Sequence, residues 1–251
     1  MIDRHAVVTG GGTGIGSAIS IALAATGARV TVMGRRHDPL AALAAANANI
    51  SAVTCDVTDP EEVAQAFREA AERSGPVGIL VNNAGAAPTT PFHKLGVDAW
   101  RQVMAVNLDA VFHCTREVIE PMQAAGWGRI VNIASTAAQK GYAYVSAYCA
   151  AKHGVLGLTR ALALECATRG ITVNAVCPGY TDTDLVHSAV ANIMAKTGRS
   201  ESEALAQFTG SNPQGRLVQP ADVAAAVLWL CQESSSAITG QAISVSGGEV
   251  M

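Results

Sequence analysis

Short apolar stretches rich in Val and Ile alternate along the chain with longer segments of helical periodicity. Such nearly continuous apolar runs are typical of strands that are buried on both faces of a parallel sheet. We therefore predict seven strands, at residues 6–9, 30–33, 50–55, 79–82, 130–134, 172–177 and 242–246.

Helical patterns fill most of the intervals between these strands. The pattern at residues 15–26 ends before Gly27, which suits a C-terminal cap, and the pattern at residues 61–73 begins after Asp59-Pro60, a signal for the start of a helix. Strands that alternate with helices predict one doubly wound α/β domain over residues 1–251, with a seven-stranded parallel sheet and helices on both faces. The predicted helices are residues 15–26, 61–73, 98–125, 146–169 and 221–232.

The segment 183–219 interrupts this alternation. It is long and mixed in composition, and it contains Gly198, Gly210, Pro213 and Gly215. A long excursion inside a compact domain is often functional. We predict a lid over a substrate site, and the alternative is a packed pair of surface helices.

Composition and charge narrow the classes of function. Apolar residues make up 49% of the chain and charged residues 15%, which suits a large core and argues against disorder. A net charge of −3 gives no reason to expect nucleic acid or an anionic membrane as a partner. Without an apolar N-terminal segment or a long apolar run, we expect a soluble cytoplasmic protein. The Cys and His residues lack metal-ligand spacing, so we expect no metal.

The first predicted strand runs into a glycine-rich turn, TGGGTGIG at residues 9–16, and a predicted helix follows. Glycine lets the chain turn sharply and brings the backbone close to a ligand. The helix N-terminus offers free N–H groups and a partial positive charge, which suit a pyrophosphate. A turn between a strand and a helix is the setting that dinucleotide binding requires. We predict such binding at Gly10, Thr13, Gly14, Ile15 and Gly16.

Three polar residues suggest acid–base chemistry. Tyr148 and Lys152 lie four positions apart in a predicted helix and so share one face. An ammonium ~4 Å from a phenol contributes ~4 kcal/mol at an effective dielectric of 20, which predicts a phenol pKa lowered by roughly two to three units. Ser135 follows a strand, where α/β sheets place their sites, and could hold a substrate oxygen. The alternative for Ser135 is a turn cap, and no G-x-S-x-G elbow supports a hydrolase.

Together these motifs resemble the short-chain dehydrogenase/reductase family over nearly the whole chain, with NNAG at residues 82–85 as a further match. The resemblance implies a Rossmann domain and a catalytic set of Asn107, Ser135, Tyr148 and Lys152. It implies that Asn107 bends its helix and anchors a water that links Lys152 to solvent, and that Lys152 also binds the nicotinamide ribose.

The resemblance also implies how a nicotinamide cofactor lies. By this likeness Asp56 contacts the adenine. The residues beside the cofactor or around its nicotinamide are Asn83, Ala84, Gly85, Pro178, Gly179 and Thr183.

The cofactor's phosphate preference depends on the end of the second strand. Where a carboxylate would favour NAD, this chain has Gly34, followed by Arg35 and Arg36, and guanidinium groups bind phosphate well. We therefore predict NADP(H). NAD(H) stays the alternative, because Thr13 stands where NADP-preferring relatives often carry a basic residue.

The predicted function is hydride transfer between a nicotinamide cofactor and a small-molecule ketone or secondary alcohol. Residues 135–142, Tyr144, Tyr180 and the segment 185–208 would line a mostly apolar pocket. The segments 215–220 and 239–242 resemble those of ketoreductases that act on acyl thioesters, namely polyketide ketoreductases and 3-hydroxyacyl-CoA dehydrogenases. The alternatives are an aryl or alkyl secondary-alcohol dehydrogenase on free ketones, and a non-catalytic cofactor-binding scaffold. The resemblance further implies a homotetramer.

Overall fold

The computed structural model describes residues 3–251 and is built around a seven-stranded parallel sheet with strand order β3-β2-β1-β4-β5-β6-β7. The order reverses direction between β1 and β4, which opens a crevice at the carboxyl ends of these strands. The strands are β1 (His5–Thr9), β2 (Arg29–Gly34), β3 (Ile50–Thr54), β4 (Val77–Asn82), β5 (Gly128–Ile133), β6 (Ile171–Pro178) and β7 (Ala242–Val245).

Helices cover both faces of the sheet. On β1, Ala6 and Val8 pack into one core with the helices at residues 14–25 and 220–230, whereas Val7 packs into a second core with the helices at residues 60–74 and 110–125. Because side chains alternate along a strand, both sets can be buried only between two helical layers. The predicted doubly wound fold is therefore confirmed. The helices are α1 (Gly14–Ala25), α2 (His37–Ala46), α3 (Pro60–Ser74), α4 (Val97–Met104), α5 (Ala110–Ala125), α6 (Ser146–Cys166), α7 (Asp184–Thr197), α8 (Glu201–Thr209) and α9 (Pro220–Leu230).

Two helical regions differ from the sequence prediction. The helix expected at residues 98–125 is divided by a π-helical turn, Ala105–Asp109, between α4 and α5. Helix α2 was not predicted. Leu40 is the residue of α2 that is buried, so the Ala-rich segment has no apolar stripe to reveal it.

The segment 183–219 contains α7 and α8, which pack on each other through a small apolar cluster that includes Val186, Val190 and Ala204. It is thus a packed pair of helices, as the alternative described. Tyr180 and Phe208 join the same cluster and also line the cleft described below. A role as a lid stays a prediction.

None of the helices between residues 3 and 251 combines the length and the apolarity that a bilayer crossing demands. In the same described range, no three His, Cys, Asp or Glu side chains gather as a metal site would require.

Candidate active site

A cleft of ≈ 520 Å³ follows the carboxyl edge of the sheet. Every residue predicted to bind the cofactor lines it. Among the predicted catalytic residues, Ser135, Tyr148 and Lys152 line the cleft, whereas Asn107 is fully buried behind it. The cofactor-binding candidates brought together are Gly10, Thr13, Gly14, Ile15, Gly16, Arg35, Arg36, Asp56, Asn83, Ala84, Gly85, Pro178, Gly179 and Thr183, with Tyr148 and Lys152.

The glycine-rich turn after β1 is packed too tightly for side chains. A Cβ on Gly16 would lie 2.2 Å from the Gly10 carbonyl oxygen and 2.6 Å from Asn83 Nδ2. Asn83 Nδ2 donates to the carbonyl oxygens of Thr9 at 2.9 Å and Gly10 at 3.2 Å. The Asn83 side chain therefore fixes the shape of the turn.

The N-terminus of α1 points its unpaired backbone groups toward the cleft. Within the described part of the chain, Thr13 at the N-cap makes no side-chain capping bond, and no acidic residue lies in the first turn. The first N–H groups of a helix have no intrahelical partner, and they attract anions. This uncapped end, beside a turn without room for side chains, fits a pyrophosphate.

Arg35, Arg36 and Asp56 line the cleft near the ends of β2 and β3. Arg35 Nη1 lies 4.0 Å from Asp56 Oδ2. Asp56 Oδ1 accepts hydrogen bonds from the Thr58 backbone N at 3.0 Å and the Thr58 hydroxyl at 2.8 Å. Burial acts to raise the pKa of Asp56, but these hydrogen bonds and the Arg35 charge outweigh it, so the pKa lies below its usual value. The exposed guanidinium of Arg35 remains available to a phosphate.

The geometry around Tyr148 corrects the expected shift of its pKa. Burial raises the pKa of Tyr148 to about 12, and a hydrogen bond with Ser135 opposes part of this rise. Lys152 Nζ lies 5.7 Å from the Tyr148 ring centre and donates to the Ile133 carbonyl oxygen at 2.8 Å. Burial also lowers the pKa of Lys152 to about 8. The prediction of a lowered phenol pKa is wrong for the protein's own groups, because burial disfavours the charged phenolate.

Ser135 is a turn cap that also lines the cleft, and its contact with a substrate oxygen stays a prediction. Its hydroxyl accepts a hydrogen bond from the Ala137 backbone N at 3.0 Å and so caps a short 3₁₀ turn. Ser135 lies beside Tyr148 in the cleft and acts to lower the pKa of the phenol. A turn cap of this kind fixes the Ser135 oxygen beside the phenol.

Asn107 lies in the π-helical turn between α4 and α5 and stabilises it. Its Nδ2 donates to the carbonyl oxygens of Val103 and Ala86, each at 2.9 Å. A Cβ on Gly85 would lie 2.8 Å from Asn107 Oδ1 and 3.7 Å from Lys152 Nζ. Asn107 Oδ1 and the Lys152 ammonium thus both lie close to Gly85. The water expected between the two stays a prediction.

The far end of the cleft, beyond Tyr148, is mostly apolar. Tyr144, which the sequence placed in the pocket, is instead exposed and has a left-handed backbone with a φ of 68°. Sequence reasoning missed Glu249, which reaches this region from the chain's end and contacts Tyr142. The side chains of the far wall are Tyr142, Val145, Tyr180, Leu185, Val186 and Phe208.

Comparison with known proteins gives consistent relatives. The short chain dehydrogenase family matches residues 4–193. An acetoacetyl-CoA reductase of Shinella zoogloeoides is 39% identical over 248 residues, covering 99% of each chain. A cis-4-hydroxycyclohexanecarboxylate dehydrogenase of Sinomonas cyclohexanicum is 40% identical over 98% of this chain and 96% of its own. A variant of actinorhodin polyketide ketoreductase, solved with NADPH, superposes with a TM-score of 0.94 at 39% identity, over 98% of this chain and 97% of that one.

Proposed function

Since the chain belongs to the short chain dehydrogenase family, we propose that it reduces the 3-oxo group of an acyl thioester or a polyketide-like ketone with NADPH. The family and its named relatives make it a nicotinamide-dependent oxidoreductase that acts on keto or hydroxyl groups. One observation carries the proposal: Ser135, Tyr148 and Lys152 meet in a cleft that joins a phosphate-binding turn to an apolar wall.

In this proposal Tyr148 is the acid. A reduced nicotinamide held in the cleft would supply the hydride for the carbonyl carbon. Tyr148 gives its hydroxyl proton to the carbonyl oxygen, and its raised pKa keeps that proton in place at neutral pH. Ser135 hydrogen-bonds the same oxygen and orients the ketone. Lys152 binds the ribose of the cofactor and stabilises the phenolate that remains after proton transfer.

The preference for NADPH is supported by the adenosine end of the cleft. Gly34 leaves room there, and Arg35 and Arg36 offer charged donors that suit a 2′-phosphate. The actinorhodin ketoreductase variant was solved with NADPH, which agrees with this preference.

The thioester substrate is supported by the acetoacetyl-CoA reductase and by the polyketide ketoreductase. A secondary-alcohol dehydrogenase that acts on free ketones is the second candidate, and the relative named for cis-4-hydroxycyclohexanecarboxylate favours it. Rates of NADPH oxidation with acetoacetyl-CoA and with acetophenone separate the two, with NADH as the cofactor control. A faster reaction with acetophenone would favour the second candidate.

A Tyr148→Phe variant tests whether the protein is an enzyme or a scaffold. We expect it to bind NADPH and to lose nearly all turnover, because Phe has no proton to give. Tyr144→Phe is the matched control, since that phenol is exposed and outside the cleft. Full activity of Tyr148→Phe would refute the proposed acid.

We further propose a cytoplasmic homotetramer. Large apolar side chains are exposed on α5, α6 and α9, among them Phe112, Leu164 and Trp229. Contact between subunits would bury such side chains. Sedimentation should give about four times the chain mass of 25.7 kDa, whereas a monomer would contradict this assembly.

A further inference from the structure

A buried carboxylate near the end of the chain reaches the wall of the substrate cleft. The Glu249 side chain is 1% exposed, and its Oε1 accepts a hydrogen bond from the Tyr142 hydroxyl at 2.5 Å. Lys140 Nζ lies 3.0 Å from the same oxygen and 4.9 Å from the centre of the Tyr142 ring. Tyr142 itself lines the cleft, but Glu249 does not.

The hydrogen bonds around Tyr142 assign its only proton. A carboxylate paired with Lys140 can only accept, so the Tyr142 hydroxyl donates to Glu249. Thr136 Oγ1 lies 2.7 Å from the Tyr142 oxygen and must be the donor in that contact. The phenol of Tyr142 therefore has no proton left for a substrate. Burial, and next the Glu249 hydrogen bond, raise the pKa of Tyr142, which keeps the phenol neutral.

Tyr142 is also the first member of an aromatic row. Its ring packs edge-to-face on Tyr180, with ring centres 6.1 Å apart, and Tyr180 packs on Phe208 at 5.0 Å. The three rings come from different parts of the chain, and they form one wall of the cleft. A ring fixed by a hydrogen bond at one end of such a row sets the width of the cleft.

We propose that Glu249 is a positioning residue for substrate specificity: it fixes Tyr142 as the end of this aromatic wall and withholds the Tyr142 proton from the substrate. Tyr142 then does not compete with Tyr148 as the acid that protonates the ketone. The inference rests on the proposed ketone reduction, and it predicts that the group beside the ketone is apolar and is recognised by its fit against this wall.

Glu249→Gln and Tyr142→Phe test the inference through substrate size. The probes are acetoacetyl-CoA and 3-oxo-3-phenylpropanoyl-CoA, or the two ethyl esters if free ketones react faster. Loss of a charged hydrogen bond is worth about tenfold or more. We expect each variant to raise the KM for the phenyl substrate about tenfold, with little change in kcat for the methyl substrate. Glu72→Gln, on the exposed face of α3, is the control for loss of one carboxylate and should behave as the wild type.

The double variant Glu249→Gln/Tyr142→Phe decides whether the two residues act together. If Glu249 works through Tyr142, the double variant is no worse than either single variant. Additive losses would overturn the inference. The inference would also be overturned if Lys140→Met raised the KM for the phenyl substrate as Glu249→Gln does while Tyr142→Phe left it unchanged. Glu249 would then only anchor the end of the chain.

A measurement without substrate separates this inference from the proposed function. With ¹³C at the hydroxyl-bearing ring carbon of tyrosine, the Tyr142 signal is assigned by its absence in Tyr142→Phe. Glu249→Gln should shift this signal even if the protein reduces neither ketone. An unchanged signal would refute the hydrogen bond itself.

Discussion

Replacing Lys152 by Met tests how a buried ammonium acts on the proposed acid. The ammonium lies 5.7 Å from the Tyr148 ring centre, and its hydrogen bond to the Ile133 carbonyl holds it there. Met has a similar length and shape, so the change removes a charge with little change in packing.

The size of the effect follows from the distance. With the 5.7 Å from the ammonium to the ring centre taken as the separation, two unit charges interact by about 3 kcal/mol at an effective dielectric of 20, which corresponds to about two pKa units. The ammonium favours the phenolate, so its loss raises the pKa of Tyr148 further. Alcohol oxidation needs the phenolate as a base, and its rate at pH 7, where Lys152 is still charged, should fall about a hundredfold. Ketone reduction needs the protonated phenol, which both proteins retain at pH 7, so it should lose less.

The folding stability of the Lys152→Met variant should rise, whereas its rate of alcohol oxidation falls. Burial lowers the pKa of Lys152 from 10.5 to about 8, which costs about 3 kcal/mol when the group is charged. Between pH 8 and pH 10.5 the unfolded chain binds more protons than the folded chain, so the stability of the wild type rises with pH there. At pH 7 the Lys152→Met variant should gain at most about 3 kcal/mol of unfolding free energy.

The assay records rates in both directions against pH at saturating cofactor, together with urea denaturation at pH 7 and pH 9.5. Arg160→Met removes a positive charge from the exposed face of the same helix and should leave both properties unchanged. An oxidation profile like that of the wild type would refute the electrostatic role of Lys152. A less stable variant would show that the lost bond to Ile133 outweighs relief of the buried charge.

Two further predictions concern the cofactor and His5 at the amino end of β1. Arg35→Ala should raise the KM for NADPH about tenfold and leave the KM for NADH unchanged, whereas equal effects would contradict a 2′-phosphate contact. His5 bonds the Gly75 carbonyl at 2.6 Å and the Thr31 hydroxyl at 2.9 Å, and burial lowers its pKa below 6.5. Because the unfolded chain takes up this proton first, stability should fall as the pH drops below 6.5. Urea denaturation should show that the free energy of unfolding falls less between pH 7.5 and pH 5 in His5→Gln than in the wild type. The exposed control His153→Gln should show the same fall as the wild type.

The sheet was predictable because each strand is buried on both faces and therefore reads as an apolar run. Helix α2 escaped prediction for the opposite reason, since Leu40 alone gives it a buried side chain and its alanines carry no periodic signal. At the π-helical turn, the Asn107 side chain donates to the carbonyl oxygens of Val103 and Ala86, and no local pattern specifies the bond to Ala86 across 21 positions.

The candidate site was predictable to the extent that strand ends carry it. Ser135 follows β5, and the turn at Gly10 follows β1, so the parallel sheet brings both to one edge. The position of Glu249 beside the cleft could not be predicted in this way. It meets Tyr142 across 107 positions of the chain, and a single carboxylate close to the chain's end reads as a solvated charge.

The pKa of Tyr148 shows what spacing could not supply. Four residues of helix correctly place Lys152 beside the phenol, but the magnitude of their interaction depends on distance and on hydration. Lys152 is buried and Tyr148 is partly buried, and burial penalises the phenolate and the ammonium alike, so the pKa of Tyr148 rises while that of Lys152 falls. The protein's own groups therefore favour a protonated phenol at neutral pH, which is the form that ketone reduction consumes. Oxidation of an alcohol needs the phenolate, which a positively charged oxidised nicotinamide would have to stabilise. Tyr148 is therefore better suited to donate a proton than to accept one, which agrees with the proposed reduction of a ketone.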